Sequence, residues 1–414
     1  MKQALVTLVL STALAAAGAA SAATVTIDAQ RNFRVDGQPF FPIMQWLQST
    51  GNIDKNVALG INTFTGIWQQ DTTTALTYLD AYQARGVWGV VNFDADPRVV
   101  NHPSLLGWIF GDEPDLQSNA IPPSTILAQY NAIKAADPHH PAFLTLTAGF
   151  FGPLGGLPAW MNGDDHYYTD YCAATDGVGF DIYPIYGWCR KDWLSYVGDA
   201  QETLRATYGH NEHPTYQWIE CVKCCSRWCN YPERNAYGPF PNEIRAEAWL
   251  AIVHGAKAIG YFTHTWRSSD CSASGDQYYQ QYQLTSEQEA ELTRTNGQIT
   301  ALTSVIAQPD IKAVRHTIVS GTGRVDVLAK LQGSDLYIIA VDVLHTSAAN
   351  DQVVAFAIPD LGAPSGTVTA YDEGRSLPIV DRGFTDSFSA AEPVHIYVVS
   401  GYVPQPRNLR IAER

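Results

Sequence analysis

Two glutamates have the placement that acid–base chemistry needs: Glu113 in Gly111-Asp112-Glu113-Pro114, and Glu220 in Tyr216-Gln217-Trp218-Ile219-Glu220. Each closes a short apolar run of the kind that forms a buried strand. A carboxyl that ends a barrel strand is aimed into the barrel mouth, where (β/α)8 enzymes keep their active sites. Two carboxyls facing each other across such a mouth can break a glycosidic bond, one as proton donor and the other as nucleophile or base. The nucleophilic route needs the carboxyls about 5–5.5 Å apart, and the route through an activated water needs more than about 6.5 Å. The competing reading of any two glutamates is solvated surface charge, and their strand-end placement argues against it.

The elements that must position them follow from the rhythm of the chain. Residues 24–36 alternate apolar and polar up to the turn signal Asp36-Gly37, which predicts an N-terminal hairpin segment over 23–36. Strand-like runs then recur near Phe40–Gln45, Ile61–Ile67, Val87–Phe93, Gly107–Phe110, Ala142–Thr147, Gly177–Ile182, Thr215–Ile219 and Ala258–Thr263. Between them lie stretches such as Thr73–Arg85 and Glu243–Lys257 with apolar residues at helical spacing. Eight strand–helix alternations predict an α/β (β/α)8 TIM barrel over 37–308, because parallel strands need crossover helices. A doubly wound open sheet is the competing layout, but no Gly-rich phosphate loop follows the first strand. From about Ile311 the period changes to two. Val314–Ser320, Val325–Leu331, Leu336–Val343, Gln352–Ile358, Gly366–Tyr371 and Val394–Val399 predict a small C-terminal antiparallel β-sandwich over 309–404 that packs on the barrel, with a frayed basic tail over 405–414.

With the strands placed, their C-terminal ends form a rim. Trp46 ends the first, Trp68 the second, Asn92 and Asp94 the third, and Asp112 and Glu113 the fourth. Asp181 and Tyr183 end the sixth, Glu220 the seventh, and His264 and Trp266 the eighth. Sugar rings offer apolar faces that stack on indole and hydroxyl edges that need fixed polar partners. For Asn92, Asp94 and Asp181, satisfied core polar groups are an equal expectation.

On these residues the chain resembles the clan A retaining glycoside hydrolases, a (β/α)8 superfamily that includes many cellulases, mannanases and β-galactosidases. The resemblance covers roughly residues 37–305 and rests on short motifs, including the approach Asn242–Lys257 to Ala258-Ile259-Gly260-Tyr261-Phe262. It implies that Glu113 is the acid/base and Glu220 the nucleophile. It also implies that Tyr183 hydrogen-bonds Glu220 and that Trp266 floors the sugar site. The clan has Asn before its acid/base glutamate, whereas this chain has Asp112. An ionised Asp112 would raise the Glu113 pKa, which suits a proton donor. No cofactor or metal is required by this chemistry. The alternatives are an inverting glycosidase and a non-catalytic carbohydrate-binding barrel.

The bulk properties narrow the partners. The chain has 41 acidic and 26 basic residues, a net charge of -15. Lys2, the apolar run to about Ala16 and Ala20-Ser21-Ala22 read as a signal peptide over 1–22, so the protein is expected to be exported, secreted or periplasmic, from Ala23. Removing Lys2 takes the charge from -15 to -16, which disfavours nucleic acid and anionic membrane surfaces as partners and favours a neutral carbohydrate. Export also permits disulfides. Cys221, Cys224, Cys225 and Cys229 fall within nine residues, a spacing that zinc could use, but no histidine joins them. The expectation is three disulfides among Cys189, Cys221, Cys224, Cys225, Cys229 and Cys271, in loops of the catalytic face, with Cys172 free.

Overall fold

The computed structural model describes residues 22–116, 120–154, 161–226, 229, 238–343 and 351–402; the leader and the tail inferred from the sequence lie outside them, apart from Ala22. No helix among the described residues is long and apolar enough to cross a membrane.

Three short strands, β1 (Val25–Ile27), β2 (Phe33–Val35) and β3 (Gln38–Phe40), form an antiparallel meander. Eight parallel strands follow: β4 (Ile43–Trp46), β5 (Thr63–Thr65), β6 (Trp88–Asn92), β7 (Leu105–Ile109), β8 (Ala142–Thr147), β9 (Gly177–Asp181), β10 (Thr215–Glu220) and β11 (Ala258–Phe262). They close on themselves, with β11 pairing β4. Every predicted barrel strand is present, because strands covered on both faces read as plain apolar runs.

The barrel interior is filled. Tyr216 and Trp218 point inward from β10, and both bond the Thr145 hydroxyl, at 2.9 and 3.1 Å. Gly179 and Gly260 on the flanking strands make room: a Cβ on either would overlap the Tyr216 or the Trp218 ring. The N-terminal meander closes the bottom, where Phe33 stacks on Phe143 with ring centroids 5.3 Å apart. This floor plugs the N-terminal end of the barrel interior.

Eight further strands form the sandwich: β12 (Arg315–Ser320), β13 (Arg324–Gln332), β14 (Asp335–Val343), β15 (Gln352–Ala357), β16 (Gly366–Ala370), β17 (Arg375–Ile379), β18 (Gly383–Phe388) and β19 (Val394–Val399). One sheet has the order β12-β15-β18 and the other β13-β14-β19-β16-β17. β14 shows why the domain adheres to the barrel. Leu336, Ile338 and Ala340 face the sandwich core, while Ile339, Val341 and Val343 join the core that also holds the helix Pro241–Val253. Each fully buried aliphatic side chain on that second face is worth about 1.5–3 kcal/mol. Two strands, β17 and β18, escape the sequence reading. β17 is an edge strand carrying Pro378, and β18 interrupts its alternation with buried Asp386.

Candidate active site

Glu113 reaches the mouth through an irregularity in the ladder. Trp108 N–H donates to Pro141 O and Phe110 N–H to Phe143 O, in regular parallel steps of two. The next bond comes from Glu113 rather than residue 112, to Thr145 O at 3.1 Å. The extra residue is a bulge, and Glu113 sits at φ 46°, the left-handed region that a non-glycine residue avoids. Its neighbours hold it there. Buried Asp115 accepts from Thr147 N–H (2.8 Å), the Thr147 hydroxyl and the Tyr168 hydroxyl (3.1 Å). Tyr171 donates to Pro114 O and Ile121 O. Backbone strain held in this way clusters at functional sites.

The half-buried Glu113 carboxyl hydrogen-bonds that of Asp181 at the end of β9, and Asp112 lies beside both. Desolvation holds Asp181 well above the ordinary carboxylate range, helped by the charges of Glu113 and Asp112. Desolvation likewise raises Glu113, with Asp115 adding to it and the bond from Asp181 opposing it. Asp112 shows accessible surface at the lip, yet crowding by protein, then the charges of Glu113 and Asp115, push it up to about 7. Carboxyls crowded together in this way favour their protonated forms.

Glu220 ends β10 but is fully buried. One oxygen accepts from Ile185 N–H at 2.7 Å and the other from Tyr186 N–H, both in the loop after β9. The buried Glu247 carboxyl of the helix Pro241–Val253 lies beside it. Desolvation raises Glu220 to about 7 against these bonds. Tyr183 stands close enough for the charge of Glu220 to act on its hydroxyl, and its ring stacks on Phe262 at 5.2 Å. The hydrogen-bond partners of Glu220 among the described residues are thus two amides, and the expected bond from Tyr183 is not one of them. Glu247 was not foreseen: it lies on a helix covered by the barrel and the sandwich together, so a charged residue there carries no surface signal.

A cavity of about 450 Å³ is lined by Glu113, Asp181, Tyr183, Tyr186 and Trp188, among others, and Glu220 is not in its wall. A second of about 220 Å³ is lined by Trp266, Arg267, Ser274 and Asp276, and it shares Tyr186 and Ser226 with the first. Trp266 is 40% exposed and leans on Tyr279 at 5.2 Å. His264 is buried beneath them, taking part in hydrogen bonds with Trp46 O at one ring nitrogen and the Tyr279 hydroxyl at the other. Burial lowers its pKa to about 4, so it braces the wall as a neutral imidazole. Trp46 packs edge-on against Trp218 within the barrel, and Trp68 is 62% exposed away from both cavities. Asn92 bonds Gln70 through its backbone, and Asp94 accepts from Thr72 and from Asp96 N–H. Trp188, 43% exposed in the larger cavity, was missed because a loop gives it no periodic signal.

Two disulfides strap the mouth. Cys189–Cys229 ties the loop after β9 to the loop after β10, and Cys224–Cys271 ties the latter to the loop after β11. The expected third bridge is corrected: Cys221 is unbridged and buried in the core between strands and helices. As the next residue after Glu220 it still follows the strand alternation, which turns it away from the loops. Cys172 is free and buried, as expected. The sulfurs of Cys189, Cys225 and Cys229 gather within 4.8 Å of one another, a grouping of metal-site size in which two of the three are already joined.

No family model matches the sequence, and no curated protein matches it either. Solved structures do resemble it in fold. An α-amylase from Geobacillus thermoleovorans, solved with acarbose, aligns with TM-score 0.54 at 11% identity over 84% of this chain and 90% of that one. A glycoside hydrolase family 5 protein from Bacteroides vulgatus aligns with TM-score 0.54 at 13% identity over 93% and 96%. A further glycoside hydrolase gives 0.52 at 11% identity over 91% and 96%. At such identities the likeness is one of fold, and it runs through the barrel and most of the remaining chain.

Proposed function

We propose that the chain is a retaining O-glycoside hydrolase acting on a neutral β-linked poly- or oligosaccharide. The carrying observation is the grouping of the Glu113, Asp181 and Asp112 carboxyls, without a cationic partner among the described residues, at an aromatic-walled cavity. A glycosidic oxygen leaves only when protonated, and a carboxyl raised by burial and by neighbouring acids keeps its proton at the pH of work. In this reading Glu113 protonates that oxygen while Glu220 attacks the anomeric carbon. Water deprotonated by Glu113 then releases the sugar with its configuration kept. The two amides on Glu220 favour its charged form, as a nucleophile requires. Asp112 and Asp181 accept hydrogen bonds from sugar hydroxyls, with Tyr183 beside that ring and Trp266 in the adjoining cavity. The protein acts after export, consistent with its two disulfides.

One observation favours a second reading. Glu220 is enclosed, and a carboxyl that never meets the sugar would leave a carbohydrate-binding barrel without turnover. Hydrolysis of a panel of β-linked polysaccharides and aryl β-glycosides, with Glu113→Gln and Glu220→Gln as controls, tests the choice. Turnover lost in both variants supports the enzyme. Binding without turnover in the unaltered protein supports the second reading.

A further inference from the structure

The two cavities share a wall, and that wall is built to stay in place. Ser226 N–H donates to Tyr186 O at 2.8 Å, and its hydroxyl donates to Gly187 O at 3.1 Å. Arg267 donates to Cys225 O and Ser226 O at 3.1 and 2.8 Å. Both disulfides anchor the loops that meet there.

Each cavity holds an indole with solvent on one side and an aromatic ring on the other. Trp188 leans on Trp193 at 5.9 Å, itself stacked on Tyr196 at 5.5 Å, and Trp266 leans on Tyr279. Large exposed aromatics in concave surface mark binding sites. The carboxyls Glu113 and Asp181 belong to the Trp188 cavity alone. Among the described residues the Trp266 cavity contains no catalytic candidate, but it offers Ser274, Asp276 and Arg267 as polar partners.

We infer that one oligosaccharide lies across both cavities over the Tyr186–Ser226 wall, stacked on Trp188 at one part and on Trp266 at the other, and is cut at an internal linkage. This rests on the glycosidase reading for the cutting and not for the binding. A single sugar could use only one indole, so two platforms joined by a rigid wall fit a chain.

Calorimetric binding to Glu113→Gln separates the two claims, using cello-, manno- and xylo-oligosaccharides of two to six units. Affinity in at least one series should rise with length up to four units or more. Trp188→Ala and Trp266→Ala should each weaken the six-unit ligand about tenfold, the scale of one lost stacking contact. Trp188→Phe should recover most of the loss, and circular dichroism confirms that the variants are folded. Affinity that is flat beyond two units, or unchanged six-unit binding in Trp188→Ala, overturns the inference, as does binding of none of the series. Length-dependent binding without hydrolysis by the unaltered protein keeps the inference on binding and sinks the enzymatic reading. Hydrolysis that releases only terminal sugars overturns internal cutting.

Discussion

The barrel mouth and the sandwich treat buried acids in opposite ways. In the sandwich, Arg375 donates to both oxygens of Asp386 at 2.9 and 2.7 Å and to Glu373 at 2.7 Å, while His395 bonds Glu373 and Tyr397 bonds Asp386. Burial works to raise Glu373 and Asp386, and these partners outweigh it, leaving both below their ordinary values. In the mouth, among the described residues, no Lys or Arg forms an ion pair with Asp112, Glu113, Asp181 or Glu220, and all four are raised. Their neighbours are other carboxyls, and Glu220 accepts from two backbone amides. Asp342 is the exception within the sandwich: burial, and to a lesser degree the charge of Asp351, raise it to about 7 against the bond from Gln352. Acids grouped without a cation cost stability, and a fold keeps them where their protons are used. The means of holding each region differ accordingly: ion pairs serve the sandwich, whereas disulfides strap the loops around the mouth.

The contrast breaks most visibly in activity. Glu113→Gln should lower kcat/KM on an unactivated β-glycoside by about 10²–10⁴-fold, the usual worth of a general acid. On a dinitrophenyl glycoside, whose leaving group needs no proton, the first step should be far less affected, as burst kinetics would reveal. Equal losses on both substrates would mean that Glu113 is not the donor.

Removing the straps should cost less. Cys224→Ala with Cys271→Ala should lower unfolding stability by about 2–4 kcal/mol in a urea titration, if the closed loop acts on the unfolded chain. No change would show that the walls of the mouth are held without that bridge.

In the sandwich, Arg375→Met leaves Glu373 and Asp386 without their cation. Since Arg375 is about one-third exposed, the loss should be about 2 kcal/mol, below the cost of breaking a fully buried pair. The loss should fade at acid pH. Acids with depressed pKa values contribute above their unfolded values, near 4, and lose that contribution as pH falls.

The smallest expected effect is at Asp112, and its sign is opposite to that in the sandwich. Asp112, raised from 3.8 to about 7, destabilises the fold progressively as pH climbs through that window and most fully above 7. Asp112→Asn should therefore raise the melting temperature at pH 8 and leave it unchanged near pH 4. The same substitution removes a negative charge beside Glu113, so the alkaline limb of kcat/KM should move to lower pH. A shift the other way would mean that Asp112 is not ionised beside it.

How much of this was legible in the sequence depended on local pattern. The barrel strands were, since burial on both faces writes continuous apolar runs, and so was Glu220 as the last residue of β10. The bulge that turns Glu113 was not: a ladder slip of one residue leaves no compositional mark beyond the Gly and Pro around it. The neighbour of Glu220 was hidden for a related reason. Glu243, Arg245 and Glu247 look like the solvated face of a helix, but Glu243 pairs with Lys191, Arg245 bonds side chains of the helix Ser286–Ala301, and Glu247 lies beside Glu220. Cys221 was assigned to a loop because strand ends cannot be fixed to a single residue by pattern. Trp188 lies outside any repeating element, and only the assembled cavity reveals it.

Everything in the mouth turns on whether Glu220 touches the sugar. The direct measurement is the product formed by Glu220→Gly on an aryl β-glycoside in the presence of azide, read by proton NMR. The expected outcome is no hydrolysis without azide and an α-glycosyl azide with it, as the small anion takes the space of the carboxylate. Hydrolysis that persists in Glu220→Gly, or a folded variant that azide cannot revive while the unaltered protein turns over, would contradict it.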